Sequence, residues 1–391
     1  MSAAADRPSV AVLFVTVFLD MVGYGIVVPL LPFFAREYGV GATEVGLLVS
    51  LYALMQALGG PFLGGLSDAV GRRPVILACL LAASGAYLLL ALAGAFWAVA
   101  LAVGLAGLAG GTPATAQAYI ADSTAADDRA RGLGLIGAAF GLGLMVGPAL
   151  GGLLSLVSLP APALGASALA FANFTLGVFV LRESLPKSSR RSVGLVRLNP
   201  VSQFAGLLRV AGIRPFLLSV LLLNLALSGL VTNFPLFGEA RFGWGPAESG
   251  LFFAFVGVCA VATQGAAVGP LQRAFGEGRM LVVGLAVAAT GLWAVAAAPA
   301  GWALYPLVGA VAVGFGAAIP AVAALISRRV PASGQGRLMG GQQTLLSLTL
   351  VFGPPLAGAT FDTLGPGAPY LLGGTLALGA ALAATRALGR E

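Results

Sequence analysis

Histidine is absent from this 391-residue chain, cysteine occurs twice and lysine once. Without histidine, the commonest zinc ligand and the usual proton shuttle near neutral pH are both missing. Cys79 and Cys259 each lie inside an apolar run, so neither a disulfide framework nor a thiolate metal site is expected. Charge is the scarcest resource: charged residues make up 9% of the chain, against roughly 25% in soluble domains. With a mean hydropathy of +0.97, so few charges cannot coat a soluble protein of this length, and lipid must cover much of its surface. No nucleophile motif or cluster of ligating side chains stands out, which disfavours a membrane enzyme or receptor and leaves no cofactor or metal expected. The formal charge of +7 resides in short breaks between apolar runs, so it reports topology rather than a nucleic-acid partner.

What the chain does have is hydrophobic length. A bilayer core of roughly 30 Å takes about 20 apolar residues per helix. Such runs recur at 9–34, 43–66, 74–94, 96–121, 130–155, 161–182, 214–238, 247–268, 279–298, 301–326, 336–361 and 367–386. This predicts an all-α integral membrane protein with twelve transmembrane helices; the first run is too long for a signal-peptide core and should remain in the mature protein. With the N-terminus cytoplasmic, every Lys and Arg except Arg36 and Arg241 falls in or beside a cytoplasmic segment, the bias that sets orientation in membranes. The polar break 183–213 separates an N-terminal bundle of six helices, 1–182, from a C-terminal one, 214–391. The halves repeat at a shift of 204 to 206 residues: Pro29 with Pro235, Gly46 with Gly250, Gly71 with Gly276, and Gly147-Pro148 with Gly353-Pro354. A parallel duplication of this kind makes the two bundles pseudo-symmetric, as in many transporters. Arginine in place of lysine, with abundant Ala and Gly, points to a GC-rich bacterial genome and hence to the cytoplasmic membrane.

Three stretches carry the functional signal. Between the second and third spans, Gly64-Gly65-Leu66-Ser67-Asp68-Ala69-Val70-Gly71-Arg72-Arg73-Pro74 combines glycines that allow close approach and a tight turn with an acid that can meet guanidinium groups. In the fifth span, Gly143, Gly147 and Gly151 recur every four residues, a groove for backbone-to-backbone packing, with Gly152 alongside and Pro148 bending the helix. The first span holds Asp20, Gly23, Gly25, Pro29 and Pro32, followed by Arg36 and Glu37. Together these stretches resemble the major facilitator superfamily, and the first span resembles its tetracycline/proton antiporter and multidrug exporter branch. The resemblance implies the major facilitator fold, a cytoplasmic latch in which Asp68 and Arg72, with Arg73, bridge the half-bundles and Asp122 at the end of span four, and a glycine pattern associated with antiport. Three departures matter. Val103 stands where such exporters often carry an arginine able to pair with the first-helix acid; no acid lies in the membrane interior of spans eight to ten and the chain has no histidine, which argues against tetracycline itself; and Arg273 occupies the repeat position of Asp68, making the latch asymmetric.

Asp20 lies about eleven residues into its span, roughly 16 Å at 1.5 Å per residue. An acid near the bilayer midplane is costly, so it usually faces a cavity and marks an ion or proton pathway. Other polar residues within spans are Tyr24, Gln56, Gln117, Asn224, Ser228, Thr232, Asn233, Gln342 and Gln343. Asn224, Ser228 and Thr232 form one stripe on span seven, best hidden from lipid, and Asn224 falls at the repeat shift from Asp20. With aromatic neighbours such as Phe140, Phe234, Phe237 and Phe352, the expected wall suits a bulky amphipathic or cationic compound. The sequence therefore predicts a secondary active exporter, a monomer working in the lipid bilayer, that moves a small lipophilic molecule by alternating access in exchange for protons. An uncoupled facilitator or a lipid or sugar exporter of the same fold is the alternative that Val103 favours.

Overall fold

The computed structural model describes residues 10–124, 128–190, 212–331 and 335–389. Its helices are α1 Val10–Val27, α2 Leu31–Arg36, α3 Ala42–Val70, α4 Arg72–Ala91, α5 Phe96–Ala109, α6 Thr112–Ser123, α7 Arg129–Ser155 and α8 Ala161–Val180. There follow α9 Arg214–Phe242, α10 Pro246–Ala262, α11 Val268–Ala296, α12 Leu304–Ser327, α13 Gln335–Leu364 and α14 Ala368–Leu388. Among the described residues, 11 helical stretches are long and apolar enough to cross a membrane. One of them, Pro246–Ala296, has 51 residues, about 77 Å of helix and over twice the bilayer core. It is broken at Gly276, whose φ of 70° and ψ of 163° are not helical. That stretch supplies two spans and brings the total to twelve. Gly71, the repeat partner of Gly276, turns the chain between α3 and α4 with a φ of 116°, a conformation that only glycine adopts without strain.

Two spans are less regular than their apolar runs suggest. The first is interrupted by the 3-10 turn Val28–Leu30, where Pro29 removes a backbone donor. The fourth breaks between α5 and α6: Gly110-Gly111 ends one helix, and Pro113 in the first turn of α6 starts the next. That second break bears directly on the site.

The helices form two compact units. One comprises the described residues up to Tyr38, those from Leu51 to Arg190, and Pro246–Ala254; the other comprises Gly39–Ser50, the described residues from Gly212 to Gly245, and Phe255 onward. Unit boundaries thus cut α3 and α10, while most of the linker expected at 183–213 lies outside the described residues. In the first unit a core of Leu13, Val17, Met21, Ile76, Leu80, Tyr119, Ile120, Ile136 and Leu181 ties α1, α4, α6 and α7 together. Polar seams are satisfied pairwise: Ser84 Oγ donates to the Ser167 carbonyl, Ser167 Oγ donates back to that of Ser84, and Asn173 Nδ2 donates to the Thr16 carbonyl at 2.8 Å.

The second unit packs α9 against α13 and α14, and α11 against α12 and α14. Its core includes an aromatic cluster in which Phe237 meets Tyr370 at 4.7 Å between centroids and Phe234 meets Trp244 at 6.0 Å. Phe234 and Phe237 are fully buried there, so they are core residues and not the cavity wall the sequence suggested. Within the same unit the start of α3 is seated on α13. A Cβ on Gly46 would overlap the Pro354 carbonyl, and one on Gly358 that of Ala42. Asp362 closes the seam, accepting from Ala42 N at 3.0 Å, Thr43 N at 2.8 Å and Thr43 Oγ1 at 2.6 Å. A carboxylate at this position satisfies backbone donors that the first turn of α3 would otherwise leave unpaired.

Candidate functional site

Asp20, on α1, is half-buried and faces a narrow cleft that it shares with Tyr24, Tyr52, Gln56, Tyr87, Gly110 and Pro113. Of the site residues the sequence singled out, the structure brings Asp20, Tyr24 and Gln56 together here. The three tyrosines come from α1, α3 and α4, and the rings of Tyr24 and Tyr52 lie 5.3 Å apart. Among the described residues no Lys or Arg lines the cleft, and Val103 is buried in the apolar packing of α5. The acid instead lies beside the break in the fourth span, with Gly110 and Pro113 lining the same cleft and the Thr112 hydroxyl within reach of its carboxyl. Thr112 opens α6, the end of a helix whose N–H groups lack intrahelical partners and whose dipole is positive. Gln56 Nε2 donates to the carbonyl of Gly110 at 3.4 Å, on the other side of the same break. A discontinuous helix that turns its start toward an anionic group is a recurrent device at transporter midplanes, and here it stands where an arginine was expected. The cleft has about 10 Å³ of room for the centre of a water-sized sphere, space for about one water. A drug-sized molecule, which needs at least about 300 Å³, does not fit.

The helix bearing Asp20 is set in place by the glycines of α7. A Cβ on Gly143 would lie 2.5 Å from Met21 Cβ, one on Gly147 2.7 Å from Gly25 Cα, and one on Gly151 2.6 Å from the Ile26 carbonyl oxygen. Each is closer than carbon can approach, so the three glycines and Gly25 let α1 and α7 run backbone to backbone. Gly152, off the stripe, packs on Gly250. Gly250 also meets the Pro148 carbonyl, repeating in the first unit the contact of Gly46 with the Pro354 carbonyl in the second, which is the duplication visible in the sequence.

Arg72 is the hub of the loop motif. Its Nη1 meets Asp68 Oδ1 at 2.6 Å and Ser67 Oγ at 2.6 Å, and its Nε meets Asp122 Oδ2 at 2.9 Å. Arg73 Nη2 donates to the Val178 carbonyl at 2.7 Å. All these partners lie in the first unit. Glu183, absent from the sequence-based site, accepts from Arg72 N at 2.9 Å and from the backbone N–H groups of Ser184 and Leu185, both at 3.0 Å. A side chain at Gly71 would overlap that carboxylate, so this glycine serves packing as well as φ. Gly64 differs from expectation: a Cβ there meets nothing within 4 Å, because the close approach it was expected to allow is not made. In the repeat the charges are reversed. Glu277, 205 residues after Arg72, is a buried anion held by Arg328 Nη2 at 2.7 Å and Gln272 Nε2 at 2.8 Å.

The remaining polar candidates do not join the Asp20 cleft. Gln117 and Phe140 are exposed. Asn224 Nδ2 donates to the Val220 carbonyl of its own helix at 2.8 Å. Ser228 and Thr232 are buried, with Ser228 Oγ against Gly353 in the seam between α9 and α13. Asn233 is fully buried, Gln342 half-buried, Gln343 exposed, and Phe352 65% exposed. Tyr52, Tyr87, Gly110 and Pro113 are cleft residues that sequence reasoning missed. Their signal was the Gly110-Gly111-Thr112-Pro113 breaker inside a span and the four-residue spacing of Tyr52 from Gln56.

The family model described as Major Facilitator Superfamily matches residues 13–318 and 242–391. Over 352 residues, 88% of this chain and 88% of the relative, the chain is 40% identical to the class C tetracycline resistance protein of Escherichia coli. It is 37% identical over 369 residues to the class G tetracycline resistance protein of Vibrio anguillarum, covering 89% of each. Among solved structures, the human organic anion transporter MFSD10 (TETRAN) superposes with a TM-score of 0.70 at 23% identity, covering 96% of this chain and 98% of that one.

Proposed function

Since the chain belongs to the major facilitator superfamily, we propose that it exports a small lipophilic compound across the cytoplasmic membrane in exchange for protons, with Asp20 as the proton carrier. It is a multi-pass membrane transporter and not an enzyme. One observation carries the proton assignment: a midplane acid facing a cleft that has room for water and none for a drug, with no basic residue among the described residues that line it. Such an acid can gain or lose a proton without an ion pair having to break, and the cleft gives that proton a place to enter. Tetracycline is the first compound to test, because the relatives at 37% and 40% identity are tetracycline resistance proteins, even though the missing histidine argued against it. Cytoplasmic termini, on the distribution of arginine along the chain, complete the proposal, together with action as a monomer.

Inverted vesicles with an imposed pH gradient test the coupling. Asp20→Asn preserves the shape of the side chain but cannot carry a proton. Gradient-driven uptake of tetracycline should fall to the level of empty vesicles, while substrate equilibration without a gradient and the melting temperature stay near wild type. Gradient-driven uptake unchanged in this variant would remove Asp20 from the mechanism. Wild-type uptake that ignores the gradient would favour an uncoupled facilitator.

A further inference from the structure

On the outer face of the second unit, the start of α9 and the end of α14 enclose a groove of about 420 Å³. Its floor is apolar, formed by Leu218 and Leu382 over a gap at Gly379, and Arg214 and Arg386 stand at its mouth. Both arginines are exposed, as are Leu218 and Leu382. Arg214 is the first residue of α9, so the positive end of that helix adds to the two guanidinium groups. Arg386 lies in the last turn of α14. On the orientation proposed above, this end of the molecule meets the cytoplasmic leaflet.

We propose that the groove is a binding site for one anionic phospholipid, its phosphate between Arg214 and Arg386 and an acyl chain over Gly379. The argument is one of matched chemistry. A membrane-embedded apolar groove is filled by acyl chain in any case, and what distinguishes this one is a pair of planar donors at headgroup depth. Guanidinium groups bind phosphate through parallel N–H bonds, and basic pockets between spans on the cytoplasmic side select anionic headgroups. Gly379 lines the groove without a side chain, and a Cβ there would already sit 3.3 Å from Leu222 Cδ1, so a larger side chain has the groove to extend into. A zwitterionic lipid offers the same tail but sets its own cation against the arginines.

The full-length protein, purified and stripped of lipid, can be titrated with dioleoyl-phosphatidylglycerol or dioleoyl-phosphatidylcholine and bound lipid counted by native mass spectrometry. Wild type should retain one phosphatidylglycerol at concentrations where phosphatidylcholine is not held. The double variant Arg214→Gln/Arg386→Gln should need about 30-fold more phosphatidylglycerol, five- to six-fold for each arginine near an anionic surface. Arg214→Lys/Arg386→Lys should recover most of the affinity. Should the glutamine variant fail to fold, Gly379→Leu leaves both charges and fills the floor; it should lose the bound lipid while keeping the wild-type melting temperature. Equal retention of the two lipids by wild type, or unchanged phosphatidylglycerol binding in both the glutamine and leucine variants, would overturn the proposal. Displacement of the lipid by millimolar inorganic phosphate would also overturn it, by identifying a site for free anions.

Discussion

The seam between α1 and α7 offers a sharp quantitative test through Gly147→Ala. A methyl group built on Gly147 would lie 2.7 Å from both Gly25 Cα and the Val22 carbonyl oxygen. Comfortable carbon contacts begin near 3.5 Å, so the two helices must part by about 0.8 Å. Both clashing atoms belong to the α1 backbone, and no side chain can swing away to relieve them. Overpacking of this kind costs about 1–3 kcal/mol. Alanine regains up to about 1 kcal/mol of helix propensity over glycine, leaving a net loss of about 0–2 kcal/mol once that gain is taken in full. The control lies on the same helix: Gly134 meets nothing within 4 Å, so Gly134→Ala keeps the propensity gain and carries no clash. Subtracting the two isolates the packing term, with propensity cancelled, at about 1–3 kcal/mol. Reversible unfolding in mixed micelles, followed by labelling of buried Cys79 in the same unit, would measure it. The parting of the seam next to Met21 should also slow gradient-driven uptake. If Gly147→Ala unfolds at the same detergent fraction as Gly134→Ala, the glycine stripe is not holding α1 against α7, and the packing account of the motif fails.

Three further substitutions probe the other contacts. Arg72→Lys keeps the charge but loses the fork that reaches Asp68, Asp122 and Ser67 together, and should lower stability by about 1–2 kcal/mol; Asp68→Asn should cost under about 0.5 kcal/mol, because that side chain is 46% exposed. Thermal melts of the two variants should differ in that order, and equal melts would contradict the hub role of Arg72. Asp362→Ala removes three acceptor contacts from the start of α3, a loss of about 1–2 kcal/mol for such a cap, whereas Thr43→Val removes one. A destabilisation by Thr43→Val as large as that by Asp362→Ala would shift the weight from the carboxylate to the hydroxyl. Thr112→Val removes the hydroxyl within reach of Asp20 and should slow gradient-driven uptake about tenfold, roughly the effect of one hydrogen bond to a charged group. Thr112→Ser should retain wild-type rates, and equal losses in both variants would assign Thr112 a packing role.

How far the sequence could be read follows from which physical constraint speaks through it. Lipid demands some 20 apolar residues for each crossing, so the spans were legible to within a few residues, including the pair that the structure runs together across Gly276. The glycine stripe was legible because four-residue spacing places Gly143, Gly147 and Gly151 on one face, though spacing alone did not say which helix would lie in the groove. Periodicity failed in a more instructive way on α9. Asn224, Ser228 and Thr232 had to be hidden from lipid, but a helix seam hides a hydroxyl as well as a cavity does, and the structure seats Ser228 against Gly353. The tyrosines of the cleft were hidden by their own chemistry: in a hydropathy profile Tyr52 and Tyr87 count as part of an apolar run, and only folding turns their rings toward Asp20.

The repeat itself makes the strongest case for a one-sided mechanism. Duplication preserved the backbone addresses, since Gly46 and Gly250, and likewise Gly71 and Gly276, occupy equivalent turns and seams in the two units. At the charged addresses it preserved position and not sign: Arg72 between acids in the first unit answers to Glu277 held by Arg328 and Gln272 in the second. At the address of Asp20 the second copy carries Asn224, whose amide is spent on the backbone of its own helix. Small residues are kept in both copies because helix packing imposes the same geometry on both. Nothing in packing requires an acid at the midplane, where it costs a few kcal/mol. Its occurrence in one copy alone is therefore best accounted for by chemistry that only that half performs, and a variant with Asn224→Asp in place of Asp20, lacking the broken start of α6 beside it, should not restore gradient-driven uptake.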